Sequence, residues 1–449
     1  MGLLPVAQQQ GETEIQDTRT PELHLLTMTS LKDIIQRGRE AVGRLFRKKG
    51  DAPSKDATSA PAAPAASDGP SAAADTVDIV LKNTKISGKL IAHITGSDSN
   101  GLFILGADGK TPYRPTPPAA GGEPKPLEKD SAIVVGAAGK SRTVKVPRIS
   151  GSRIWFSKDE PLEFFVNPGP SLVEPSSTNT KDANYKKDWG FCEFTYNKDE
   201  LYVNVSYVDF VSLPIALQLE NQSGNVRRVE GMPADGLQKV VAGLEAQGKK
   251  DGKGWEKLVI KDGDQVLRAL SPNSALVLFP KLFDSYFQGH VDKVWDKYRG
   301  EDLTVNTQYD WGDVKGRVGE DGKLTFKGDA KLGFDKPSAG DIFSCNTGPF
   351  AGGEGVSPER LNIGARLGAA LNRSTLLTNS RQPEGEKADQ YYKGDVTNHY
   401  ARVCHETTAE SRGYAFPYDD VGPSKGEDQS GFLNDPKPKV LTVEVGGAA

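Results

Sequence analysis

Between Trp189 and Pro214 apolar and polar residues alternate about a polar turn, Asn197 to Glu200. The pattern predicts a β-hairpin in which Thr195 faces Tyr202 and Glu193 faces Asn204. One face then carries Cys192, Phe194, Tyr196, Leu201, Val203, Val205 and Tyr207, a row suited to packing on a second sheet. The other carries Glu193, Thr195, Asn197, Tyr202, Asn204 and Ser206, hydrogen-bonding groups beside an aromatic ring, which suits a sugar. Asp209 breaks the phase. In a straight strand it would share the side of Val203, Val205 and Tyr207 and lie roughly 16 Å beyond the partner of Glu193, at about 3.3 Å per residue. Cooperation between the two carboxylates therefore requires a bend or bulge between Ser206 and Asp209.

The same reading, extended along the chain, predicts a mainly β fold with a smaller α/β part. Short Val/Ile/Thr/Tyr runs at 77–81, 90–94, 102–105, 132–135, 143–146, 153–156 and 162–166 read as strands, separated by turn residues and by a proline-rich loop at 111–130. The irregular stretch 167–187 is long enough to expect a functional loop bordering the binding face. After a strand at 215–219, Leu237, Val240, Val241 and Leu244 mark an amphipathic helix, and 271–282 and 285–298 suggest two more. Strands return at 303–305, 314–318 and 324–326. A helix at 358–372 and a final strand at 440–445 follow. The expected organisation is a core from 76–230 and 301–445 with a helical α/β subdomain at about 231–300, together forming one region, 76–445.

Residues 1–75 differ in character. A basic amphipathic helix is expected near 30–49, weakly docked in preference to lying on a membrane. Residues 51–76, rich in Ala, Pro, Ser and Asp, lack the large apolar groups that would offset ordering, and read as a disordered linker.

Composition changes the picture in three places. The net charge of -4, from 56 basic and 60 acidic residues, gives no reason to expect a nucleic-acid partner. The most apolar run, 274–279, is far too short to cross a bilayer, and the first residues lack the order of a secretory signal. The three cysteines, Cys192, Cys345 and Cys404, leave at least one unpaired, and a Cys345–Cys404 bridge and free thiols are equally open.

Longer motifs carry a resemblance. Asn167-Pro-Gly-Pro-Ser-Leu-Val-Glu-Pro-Ser, Trp189-Gly-Phe-Cys-Glu-Phe-Thr-Tyr, Val208-Asp-Phe-Val-Ser-Leu-Pro, Ala370-Leu-Asn-Arg-Ser-Thr and Tyr414-Ala-Phe-Pro-Tyr-Asp-Asp-Val together resemble glycoside hydrolase family 64. These are β-1,3-glucanases, laminaripentaose-producing, of the thaumatin-like superfamily. The resemblance spans about 76–445. It implies a β-barrel or sandwich joined to a mixed α/β domain around a wide groove, and endo-type, inverting cleavage of β-1,3-glucan into short oligosaccharides, typically the pentasaccharide. It also implies Glu193 as catalytic acid, Asp209 as base, and sugar contacts at Thr195, Asn197, Tyr202 and Ser206. Tyr202 stands where relatives carry Trp, and Ser206 where they carry Thr, so stacking is expected to be somewhat weaker. No cofactor or metal is implied, a monomer is expected, and the family is generally extracellular although this amino terminus offers no signal.

The chemistry is that of paired carboxyls, one protonated at the leaving oxygen and one ionised to activate water. Glu193, edged by aromatic side chains, would have the raised pKa of a general acid. On pattern alone the plainer readings prevail, a solvated strand residue for Glu193 and a turn cap for Asp209; the motifs reverse that balance. Asp419 and Asp420 are candidate subsite contacts or turn residues on equal terms. Asn372 and Arg373 are expected to cap a helix end more than to bind sugar. Cys404-His405 has no second cluster at ligand spacing, so metal is not expected. The competing class is a non-catalytic glucan-binding or antifungal thaumatin-like module, and an unrelated intracellular scaffold is a third.

Overall fold

Residues 75–328, 333–426 and 428–447 are described by the computed structural model of the chain. The basic helix expected near 30–49 and nearly all of the linker lie outside the described residues. Among the described residues the chain is mainly β with interspersed helices, and no helix is long and apolar enough to cross a membrane.

Two sheets enclose the first part of the core. In the five-stranded one the order is Val226–Val229, Ile215–Asn221, Pro438–Val445, Thr76–Asn83, Ser141–Pro147. Strict alternation along Thr76–Asn83 buries Val77, Ile79 and Leu81, the pattern of a strand with one covered face. This strand runs parallel to Pro438–Val445, from Asp78 opposite Val440 to Asn83 opposite Val445. The larger sheet has the order Phe432–Asp435, Leu201–Val205, Trp189–Tyr196, Ile149–Lys158, Leu90–Asp98, Gly101–Leu105, Pro112–Tyr113, with Ile133–Gly136 also pairing to Leu90–Asp98. Leu201–Val205 packs on Ile215–Asn221. The hairpin side predicted to be apolar, Cys192 through Tyr207, is buried at every position, each large side chain contributing about 1.5–3 kcal/mol relative to exposure.

From 231 to 300 helices alternate with one hairpin: Gly236–Asp251, then Val259–Asp262 and Gln265–Leu270, then Pro272–Leu278 and Gln288–Gly300. Gln265–Leu270 pairs with Phe210–Val211, so this region is stitched to the end of the functional hairpin. Pro272–Leu278 is shorter than the 271–282 expected. Further along, Leu303–Asn306, Asp313–Val318, Leu324–Phe326, Gly333–Phe334 and Arg381–Gln382 form another sheet. It neighbours helix Pro358–Arg373, which starts at Ser357, whose side chain accepts from the Arg360 amide, and stops at Ser374 in the left-handed region. One hydrophobic cluster runs through nearly all of these elements.

Among the elements not foreseen are helices Ala339–Ser344 and His399–Thr407 and strands Val226–Val229, Val259–Asp262, Gln265–Leu270 and Phe432–Asp435. The strand expected at 162–166 reduces to Phe165–Asn167. The Cys345–Cys404 bridge does not form: all three cysteines are free and buried. Burial raises the Cys192 and Cys404 thiols well above their ordinary range.

Candidate active site

The hairpin adopts the predicted register, with Glu193 opposite Asn204 and Thr195 opposite Tyr202. Pairing with strands distant in sequence then extends the polar face. Arg153 lies opposite Glu193, Thr95 opposite Arg153, and Phe432 opposite Asn204. Phe432, Asn204, Glu193, Arg153 and Thr95 thus form one row across five strands.

Arg153 organises the carboxylates. Its Nε and Nη2 donate to Glu193 Oε1 at 3.3 and 3.2 Å, and its Nη1 donates to Glu174 Oε2 at 2.6 Å. The guanidinium lies 4.6 Å from the Phe191 ring centroid and 5.2 Å from that of Trp155, so the side chain is clamped by packing as well as by charge. Burial by itself would lower the Arg153 pKa, but Glu174, Glu193 and Asp209 together outweigh it and raise it. Glu174 follows strand Ser171–Val173, so the irregular 167–187 stretch does border this face.

Before Asp209 the strand bends. Leu201–Val205 ends, Ser206 makes an isolated bridge to Tyr414, and the Tyr207 amide donates to the Tyr414 carbonyl at 2.6 Å. A bend occupies Val208 and Asp209, and Phe210–Val211 then joins a different sheet. The turn falls within the stretch from Ser206 to Asp209 where a bend was expected. Asp209 is half-buried, while Tyr207 stays buried on the apolar side, its carbonyl accepting from Tyr400 Oη at 2.6 Å. Two anchors hold the bend. The Asp209 carbonyl accepts from the Ser271 amide at 3.0 Å, and the Phe210 ring packs edge-on against Trp189 at 4.9 Å and Phe191 at 5.9 Å. Gly413 is required here: a Cβ would come within 2.4 Å of the Tyr207 ring.

The remaining candidates divide. Thr195, Tyr202 and Ser206 are half-buried on the same face as Glu193. The Tyr202 ring stacks on Phe432 at 5.3 Å and 21°, and its hydroxyl shares a 3.2 Å hydrogen bond with that of Tyr414. Asn197 accepts from the Asp199 and Glu200 amides through Oδ1, so that oxygen belongs to the turn. Asp420 retains solvent contact, yet the protein crowded around it raises its carboxyl above the ordinary value, against the lowering effect of a Tyr414 hydrogen bond.

Asp419 is not a surface contact. Its side chain is fully buried, paired with Arg373 at 3.0 Å and His405 at 2.8 Å, and it accepts from the Ala415 amide at 2.9 Å. It ties down the segment that carries Tyr414 and Asp420. Arg373 also donates to the Asp419 and Val421 carbonyls. Asn372 donates to the Ile342 and Gly368 carbonyls at 2.7 and 2.9 Å. Both are internal braces, neither capping the helix end nor facing sugar. His405 serves Asp419, and among the described residues no group of three potential metal ligands occurs.

Residues 75–445 match the sequence model of the β-1,3-glucanase family, glycoside hydrolase 64. The chain belongs to this family. A family-64 chain in a solved complex, a laminaripentaose-producing β-1,3-glucanase with laminaritetraose, is similar with a TM-score of 0.74 at 29% identity, over 83% of this chain and 99% of that one. A β-1,3-glucanase domain from Clostridium beijerinckii shares the fold at TM-score 0.64 and 24% identity, over 84% and 100% of the two chains. A glucan endo-1,3-beta-glucosidase of Cellulosimicrobium cellulans is 30% identical over 294 residues, 63% of this chain. An Arthrobacter protein of the same name (strain YCWD3) matches to the same extent. The chain spans about half the length of the curated relatives it matches.

Among the residues of this family-64 face that escaped the sequence reading are Asn204, Arg153, Glu174 and Tyr414. Asn204 stood on the predicted polar side but was not singled out; its Oδ1 is buried with no hydrogen-bond partner among the described residues. Arg153 carried one signal, a cation within the alternating run Arg-Ile-Trp-Phe. Glu174 and Tyr414 lay inside quoted motifs without a pattern to mark their side chains.

Proposed function

We propose that this chain hydrolyses linear β-1,3-glucan internally and with inversion, with Glu193 as general acid and Asp209 as general base. One observation carries the reading: the strand bends at Val208 and Asp209, leaving Asp209 half-buried while Tyr207 stays on the buried apolar side.

In the reaction Glu193 donates its proton to the glycosidic oxygen as the bond from that oxygen to the anomeric carbon breaks. Asp209 takes a proton from a water that attacks this carbon from the opposite side, leaving a product of inverted configuration. A carboxyl separation of about 6.5–9.5 Å leaves room for that water. Both Arg153 bonds fall on Glu193 Oε1, which fixes the rotation of the carboxyl. Thr195, Asn197, Tyr202 and Ser206 contact neighbouring glucosyl units, with Tyr202, stiffened by Phe432, as the stacking platform. Asp420 adds a contact beside it.

The reading extends to a thaumatin-like β-barrel or sandwich facing a mixed α/β domain across a wide groove, and to release of short oligosaccharides such as the pentasaccharide. It further takes the protein to be an extracellular monomer that needs no cofactor. A related protein named as laminaripentaose-producing supports the product length. The test is incubation with linear β-1,3-glucan, following oligosaccharide release and the anomeric form of the new end by NMR. Glu193→Gln and Asp209→Asn should each cut release by at least about 100-fold. Glucan binding without release by the wild type would leave a non-catalytic binding module.

A further inference from the structure

Four residues beyond Asp420, no more than about 14 Å along the backbone, Ser424 enters the wall of a cavity of about 890 Å³. That volume suits a ligand of several rings. Its charges balance, Arg381, Lys387 and Lys425 against Glu384, Glu386 and Asp389, so no net field selects an anion or a cation. Glu386 is 6% exposed, and its Oε1 has no hydrogen-bond partner among the described residues. A buried acceptor left in this state is destabilising until a hydroxyl or water satisfies it.

Beside the cavity stands an aromatic pair. Tyr309 is 40% exposed, and its ring centroid lies 4.8 Å from that of Trp311, which is half-buried. The turn bearing them is fixed to the cavity wall. Gln308 Nε2 donates to Glu384 Oε1 at 3.2 Å and to Ser424 Oγ at 3.1 Å, while Gln308 Oε1 accepts from Arg366 at 2.9 Å. Thr307 Oγ1 closes the turn on the Gly312 carbonyl at 2.9 Å. An exposed aromatic pair on a turn bonded to the wall of a charge-balanced cavity is complementary to a neutral polyhydroxylated chain, whose C–H faces lie on rings and whose hydroxyls reach carboxylates and amides.

We propose that this cavity and the Tyr309–Trp311 pair form a second carbohydrate-binding site, distinct from the row around Glu193, that holds a run of neutral glucosyl units. The identity of the sugar rests on the function proposed above. A polymer gripped here raises the local concentration of glucan at Glu193 without new contacts at the reacting bond.

The test is calorimetric titration of the full chain carrying Glu193→Gln with a linear β-1,3-linked hexasaccharide. Two sites per chain are expected. Adding Tyr309→Ala, an exposed truncation that leaves the core intact, should weaken one of them about tenfold and spare the other, whereas adding Tyr202→Ala should do the reverse. Glu386→Gln, which keeps the shape and removes the charge, should weaken the same site as Tyr309→Ala. A single site per chain, or titrations unchanged by both Tyr309→Ala and Glu386→Gln, would overturn the inference. Hydrolysis by the wild type is read separately. Its absence alongside Tyr309-dependent binding defeats the enzyme reading and leaves this site standing, while intact hydrolysis without Tyr309-dependent binding does the opposite.

Discussion

Replacing Phe210 by leucine separates the placement of Asp209 from the stability of the fold. The ring is 6% exposed, meets Trp189 at 75° and Phe191 at 72°, and lies 5.8 Å from the Arg268 guanidinium. Each aromatic edge contact is worth about 0.5–1.5 kcal/mol beyond its area. Leucine keeps most of the apolar burial, so the expected loss is about 1–3 kcal/mol, within the roughly 5–15 kcal/mol that folded domains hold in reserve. The aim of the neighbouring carboxylate is less tolerant. Asp209 is positioned by the Phe210 ring on one side and by its own carbonyl on Ser271, and a misplacement of about 1 Å in a reacting group costs on the order of 100-fold. Phe210→Leu should therefore lower kcat on soluble β-1,3-glucan by about 10- to 100-fold, keep KM within about threefold, and melt cooperatively. A folded variant with wild-type kcat would refute the reasoning, since either the ring does not aim Asp209 or Asp209 takes no part.

Two further expectations concern stability and thiols. Burial, only partly offset by Asp130, lowers His93 from the ordinary 6.5 to about 4, while its ring bonds Ser131 at 3.0 Å and accepts from the Leu162 amide at 3.2 Å. Between those values the unfolded chain takes a proton that the fold refuses, so acidification destabilises. The contribution from this residue is about 2 kcal/mol between pH 7 and pH 5, read by urea denaturation at the two pH values, and a His93→Gln variant should show a correspondingly shallower dependence. The free, buried cysteines should resist a thiol reagent in the native protein and all three react in denaturant without reductant; a count of one would restore the bridge.

Period-two alternation made the hairpin register legible because burial of one face leaves no alternative register. The need for a bend between Ser206 and Asp209 was legible too, from the phase of Asp209 alone, but not what holds it, since Phe210 meets Trp189 only in the folded chain. Asp419 and Asp420 are identical neighbours in sequence, and only the partners Arg373 and His405, 46 and 14 residues away, send one inward. Arg153 needed the pairing of strands that are not consecutive, which no local pattern encodes. Strand Phe432–Asp435 is four residues long, too short to show periodicity, although it supplies the ring beneath Tyr202.

The place of Pro438–Val445 in its sheet bears on how the protein is made. This strand lies between Ile215–Asn221 and Thr76–Asn83, so without it the other four strands are two separate antiparallel pairs with open edges. The Lys82–Glu444 contact that closes the parallel pair spans 362 residues. A nascent chain must therefore carry one open edge each on Thr76–Asn83 and Ile215–Asn221, templates for association with other chains, until Pro438–Val445 has been made. Emergence of the last strand and sealing of those edges are one event, and slow translation would lengthen the interval in which the nascent chain depends on chaperones.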